Sequence, residues 1–252
     1  MGFVIPMQRW ISFGASEIGP AHIATGKPNQ DSWASFSHGN CDVLVVSDGM
    51  GSKDFSEFGS AMACRAVDQA VCKMLVEEGT ASLKDPQSRT RLLDCIRDIW
   101  MDGITPLTHH NASATCLFAY SAGDGTVWVG MLGDGLAAAV LNDGSARLLE
   151  DSKEESFSNM TQSLSEKTAP ADWKIMGIPA NRCKAVLLCT DGVADDLVDS
   201  ESFACGIVDN FCKLPIVTAS SEVSNMLIDW PTPKHSDDKT IACIFRREYP
   251  DE

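Results

Sequence analysis

Three apolar runs in this chain stop on the same dipeptide, an aspartate followed by a glycine. They are Val43-Leu44-Val45-Val46-Ser47-Asp48-Gly49, Val129-Gly130-Met131-Leu132-Gly133-Asp134-Gly135 and Val186-Leu187-Leu188-Cys189-Thr190-Asp191-Gly192. Each reads as a buried strand that carries a carboxylate at its end and then turns sharply at the glycine. Gln30-Asp31 upstream and Asp237-Asp238 near the C-terminus add further acids. Carboxylates gathered in one place repel, so one takes up a proton or the group holds a cation. A hard divalent ion such as magnesium, manganese or calcium suits carboxylate, carbonyl and water oxygens.

The elements that would position these acids are legible. Trp10 to Ser16 and Ser32 to Ser37 alternate as strands, around a connector built on Gly19-Pro20 and Gly26-Lys27-Pro28. Asp54 with Glu57 reads as a capping box for a helix whose apolar stripe is Phe58, Met62, Val67, Val71, Met74 and Leu75. Asp85-Pro86 opens a second helix, with Leu92, Leu93, Ile96, Ile99 and Trp100 on one face before Gly103. Thr115 to Ala122 and Thr126 to Leu132 are strands joined through Gly123-Asp124-Gly125. Leu136 to Leu141 meets Arg147-Leu148-Leu149 through Asn142-Asp143-Gly144. These two Asp-Gly pairs lie between alternating segments and read as plain hairpin turns.

Residues 151–183 are polar and irregular, an expected surface excursion. Two more helical patterns follow, Phe203, Ile207, Val208 and Phe211, then Val223, Met226, Leu227 and Trp230, each stopped by a proline. Thr240 to Phe245 closes the chain as a strand. No repeat, low-complexity linker or charge block marks a boundary, so residues 1–252 are expected to form a single domain. The order of strands, helix pair, strands, helix pair and strand predicts an α+β fold. Two mainly antiparallel sheets would pack face to face, each covered by a helix pair.

The formal charge of −15 offers no basic surface to nucleic acid or an anionic membrane. Ten cysteines without a C-x-x-C pair, several of them inside apolar runs, read as buried free thiols. With no apolar run long enough for a signal peptide or a bilayer span, a reducing cytoplasm is the expected setting.

Taken in order, Asn29-Gln30-Asp31, Val46-Ser47-Asp48-Gly49-Met50-Gly51-Ser52, Gly133-Asp134-Gly135, Cys189-Thr190-Asp191-Gly192 and Asp237-Asp238-Lys239-Thr240 resemble the metal-dependent serine/threonine protein phosphatases of type 2C. The stretch from Gly14-Ala15-Ser16 through His22-Ile23 to Asp31-Ser32, and Ser158-Asn159-Met160-Thr161, resemble a short bacterial branch of that family. The resemblance implies a four-layer α/β/β/α sandwich with two Mg²⁺ or Mn²⁺ ions between the sheets. Asp48 would bridge both ions and the Gly49 carbonyl would bind one; Asp191 and Asp237 would hold the other. Asp31 would act directly or through bound water, and Asp134 with Asp191 occupies the place of a third, weaker ion in some members. Ions about 3.5–4 Å apart acidify a shared water, which then attacks phosphorus in line.

Departures from the pattern are specific. A phosphate-gripping arginine, common five residues before the first aspartate, is Gly26 here, leaving Lys27 or His22 as substitutes. A lysine is a point charge and cannot make a bidentate clamp. Met50 replaces a histidine that serves some members as general acid, and Gly135 and Leu136 replace a serine and an arginine. Asp238 stands where asparagine is common, and the spacing to Thr240 favours Asp237 as the ligand.

The leading expectation is a phosphatase acting on phosphoserine and phosphothreonine in proteins, with a cognate serine/threonine kinase as a partner by resemblance. An inactive regulator on the same fold, binding a kinase or phosphoprotein without turnover, is the alternative. A calcium-stabilised structural protein is the third, weakened because calcium loops gather their ligands locally. Oligomeric state is left open.

Overall fold

The computed structural model describes residues 9–150, 162–231 and 236–247, and among these ten strands form two five-stranded antiparallel sheets. One sheet has the order β1 (Arg9–Glu17), β10 (Lys239–Arg247), β9 (Cys183–Cys189), β6 (Leu136–Leu141) and β7 (Ala146–Glu150). The other runs β2 (Ser32–His38), β3 (Cys41–Ser47), β4 (Cys116–Ser121), β5 (Thr126–Leu132) and β8 (Lys174–Pro179). The central strands are continuous apolar runs because both their faces are covered. In β3, Val43 and Val45 face a helix layer while Leu44 and Val46 face the other sheet.

Helices α2 (Ser56–Glu78) and α3 (Pro86–Ile104) cover the β2–β8 sheet, and α5 (Ser200–Phe211) and α6 (Ile216–Ile228) cover the β1–β7 sheet. A third cluster, including Leu117, Val129, Ala137 and Leu188, fills the space between the sheets. The result is the four-layer α+β sandwich expected from the sequence. The Asp124-Gly125 and Asp143-Gly144 pairs sit in the β4–β5 and β6–β7 turns, as anticipated. Asp85 caps α3, its side chain accepting the Ser88 N–H.

Several local expectations are corrected. The Asp54–Glu57 capping box does not form: α2 starts at Ser56, with Phe55 at the N-cap and no side-chain cap. The preceding segment is tied elsewhere, the Phe55 N–H donating to the Asn111 carbonyl. Phe58, placed in the core stripe from its spacing, is 44% exposed, because the first turns of α2 bury Ser56, Gly59, Ser60 and Ala63 instead. Gly103 does not end α3 but lies within it, under Met62 of α2. The Gly/Pro connector contains a short helix, α1 (Pro20–Thr25). Of the expected excursion at 151–183, residues 151–161, including Ser158 to Thr161, lie outside the described residues. The remainder is ordered into a 3-10 turn at Pro170–Asp172 and the edge strand β8, with Leu164 and Trp173 buried.

Candidate functional site

Antiparallel pairing brings the acids to one end of the sandwich. Asp48 follows β3, and Asp31 precedes β2, whose first residue Ser32 pairs with Ser47 at the end of β3. Asp191 follows β9 as the first residue of α4 (Asp191–Ala194). Asp237 precedes β10, which runs back along β9 with Ile241 opposite Cys189. Asp134 lies in the turn from β5 to β6. Carboxylate oxygens of Asp48, Asp134 and Asp191 lie within 4.8 Å of one another. Thus strand ends from both sheets converge.

Crowding and burial leave their mark on protonation. Burial pushes the Asp191 carboxyl up to about 8, reinforced by the charges of Asp48, Asp134 and Asp237. Asp48 is raised well above the ordinary carboxylate range, first by burial and then by the Asp31 charge beside it. Burial takes Asp31 to about 7, against the opposing pull of hydroxyl hydrogen bonds from Thr240 and Thr190. Those hydroxyls donate to Asp31 Oδ2 at 2.7 and 2.8 Å. Asp31 Oδ1 is buried with no partner. An acceptor left bare among carboxylates is a cost that a cation or proton removes. Since the converging donors are all oxygens, the cluster fits a hard divalent ion.

The backbone around the cluster is tightly held. The Asp48 N–H donates to Thr115 Oγ1 at 2.9 Å, while the Asp48 carbonyl accepts the Thr115 N–H at 2.8 Å. The Gly49 N–H donates to the Gln30 carbonyl, linking the first two acidic motifs. Gly192 packs so closely on β10 that a Cβ there would stand 2.0 Å from the Asp238 carbonyl oxygen.

Asp237 and Asp238 differ in their surroundings. Asp237 is exposed and close enough to raise both Asp48 and Asp191. Asp238 is 2% exposed and fully engaged. It accepts the Gly19 N–H at 2.7 Å, the Gln30 N–H at 2.6 Å and His22 Nδ1 at 2.8 Å. His22, Asp237 and Asp238 form a second close group. The two candidates for phosphate binding are therefore occupied: His22 is buried against Asp238, and exposed Lys27 donates to the Gly51 carbonyl at 2.7 Å.

Sequence reasoning missed the supporting shell. Thr190 and Thr240 brace Asp31 although it lies about two hundred residues away from Thr240 in the chain. Buried Lys239 donates to the Asp237 carbonyl at 3.0 Å. The available signal was adjacency, since each of these residues lies within three positions of an acidic motif.

A family model described as protein phosphatase 2C matches residues 18–228. No curated protein matches the chain. Among solved structures, a sex-determining protein of C. elegans superposes with a TM-score of 0.66 at 15% identity; the match covers 93% of this chain and 64% of that one. A bacterial serine phosphatase superposes with a TM-score of 0.65 at 17% identity, covering 98% of this chain and all (100%) of the other. A serine/threonine phosphatase from Staphylococcus aureus gives 0.64 at 16% identity, covering 96% and 95%. At such identities these likenesses speak to the fold.

Proposed function

Because the chain belongs to the protein phosphatase 2C family, and is by that class a protein serine/threonine phosphatase, we propose that its acidic cluster hydrolyses phosphoserine and phosphothreonine in proteins with the aid of two divalent cations. The observation that carries this reading is the convergence of Asp48, Asp134 and Asp191 within 4.8 Å, with Asp31 and Asp237 alongside. Asp48 would be shared between two ions, with the Gly49 carbonyl on one side and Asp191 and Asp237 on the other; Asp134 would assist a third. Magnesium or manganese bound there would supply an acidified water and neutralise charge on the phosphoryl oxygens.

The chain's own residues prepare that site. Thr190 and Thr240 fix Asp31 Oδ2 and leave Oδ1 free to face the cluster. Asp238 ties α1, the Gln30 backbone and the start of β10 together, which holds Asp31 and Asp237 in register. These contacts support Asp237 as the ligand and Asp238 as the residue that positions it. Ten free thiols, six of them buried, suit a reducing compartment such as the cytoplasm. Among the described residues no helix is long and apolar enough to cross a membrane.

One observation favours the second reading, a regulator that binds a kinase or phosphoprotein without turnover: both substitutes for the phosphate-gripping arginine are already bonded within the protein. Phosphate release from a phosphothreonine peptide, with manganese and with Asp48→Asn as control, separates the two. Catalysis predicts release by the native protein alone; release by neither protein, with peptide still bound, supports the regulator.

A further inference from the structure

The N-terminal turns of α2 are built inside out. The face turned to the core carries small residues, Ser56, Gly59, Ser60 and Ala63, all buried. That face is pressed so close to the loop before β4 that a Cβ at position 59 would stand 1.8 Å from the Ala112 carbonyl oxygen. Trp100 Nε1 donates to the Gly59 carbonyl at 2.9 Å and locks the approach. There is no room for large side chains on this side, so Phe55 and Phe58 point outward, 43% and 44% exposed. Among the described residues they are the aromatic members of the exposed large apolar residues, on a strongly acidic chain.

Their position is what makes them informative. Ser56, between them, packs against the residue after Asp48: a Cβ at Gly49 would lie 2.5 Å from the Ser56 carbonyl oxygen. The pair is held by backbone bonds, from the Phe55 N–H to the Asn111 carbonyl at 2.9 Å and from the Phe58 N–H to the Phe55 carbonyl at 3.2 Å. The fixed backbone that carries both exposed rings thus meets the residue after Asp48. An isolated exposed ring is commonplace, whereas two exposed rings three residues apart, on backbone that meets a polar site, offer apolar surface to whatever enters that site.

We propose that Phe55 and Phe58 form a docking lip for an apolar side chain close in sequence to the phosphorylated residue of the substrate. This rests on the phosphatase reading and names the substrate class: phosphoserine or phosphothreonine flanked by apolar residues. An extended segment advances at most about 3.3–3.6 Å per residue, so a lip adjoining the residue after Asp48 is reached within about three residues of the phosphorylated one. Covering two half-exposed rings is a hydrophobic gain that a free phosphate or a small phosphate ester cannot collect.

The test uses two phosphothreonine peptides, one with leucine and one with serine at two residues on either side of the phosphothreonine, and a small aryl phosphate. Native protein with manganese is compared with Phe58→Ser and Phe55→Ser, whose thermal melts report folding. The native protein should favour the leucine peptide by about tenfold in kcat/KM, mainly through KM, and either substitution should erase the preference. Hydrolysis of the aryl phosphate should be the same in all three. Equal use of both peptides by the native protein, or a preference that survives both substitutions, overturns the lip. Loss of aryl phosphate hydrolysis in the native protein would count against the phosphatase reading instead. Equilibrium binding of the same peptides then decides the lip by itself, tighter binding of the leucine peptide by the native protein alone supporting it and equal binding refuting it.

Discussion

Asp143 and Asp191 are each followed by glycine, yet their surroundings drive them in opposite directions. Asp143 sits in the β6–β7 turn, where the Ser145 hydroxyl and N–H donate to it and hold its carboxyl below the usual range. Asp191 stands at the end of an almost entirely buried strand among three other acids, and burial pushes it to about 8. The dipeptide supplies a turn in both places. The run before each is a buried apolar strand, β6 before Asp143 and β9 before Asp191. What differs is where it stops, among other acids for Asp191 and in a tight turn to the edge strand β7 for Asp143. The company a strand end keeps, more than the motif or the run before it, decides whether an Asp-Gly pair does chemistry.

The sharpest way to break this contrast is to neutralise one acid of each kind. Asp48→Asn should lower phosphate release by at least about a hundredfold, since it removes the carboxylate central to the cluster. Asp143→Asn should leave the rate unchanged; a comparable loss in both would erase the distinction. A subtler blow is Thr240→Val, which keeps every acid but strips a hydroxyl from Asp31. Manganese affinity measured by calorimetry should fall roughly 10–100-fold, the usual cost of an outer-shell partner.

Stability against pH sharpens the comparison further. In the metal-free protein Asp31 and Asp191 keep their protons to about 7 and 8, against 3.8 for a free carboxyl. Between about pH 4 and pH 8 the folded state therefore binds more protons than the unfolded chain. Stability present in acid is lost as pH rises through those values. Thermal melts should show Tm falling from pH 5 to pH 8.5 without metal, with a shallower fall in Asp191→Asn. Asp143, whose carboxyl is lowered, acts in the other sense, losing its contribution only in strong acid. The smallest effect belongs to Lys27→Ala: its contact with Gly51 is exposed, so denaturant unfolding should move by no more than about 0.5 kcal/mol.

Much of this architecture was legible in the sequence because it rests on local pattern. Apolar runs, hairpin glycines and the Asp85-Pro86 helix start act over a few residues, and three of the five acids, Asp48, Asp134 and Asp191, announced themselves by ending those runs. Strand β8 escaped because Lys174 to Pro179 carries one glycine, one proline and little alternation; β5 imposes its pairing from outside. Phe58 was misplaced because spacing cannot reveal that the loop at Ala112 comes too close for an aromatic face. Spacing already favoured Asp237 over Asp238, but the buried contacts of Asp238 were hidden, depending on Gly19, His22 and Gln30 arriving from the far end of the chain.

The contact between Gly192 and the Asp238 carbonyl makes the site vulnerable in a way that an inventory of acids overlooks. One extra methyl at position 192 would wedge the two strand ends apart and widen the gap the ions must span. Such a chain would keep every acid of the cluster and still be silent. Surveys of related sequences would do well to read the spacer as closely as the ligand.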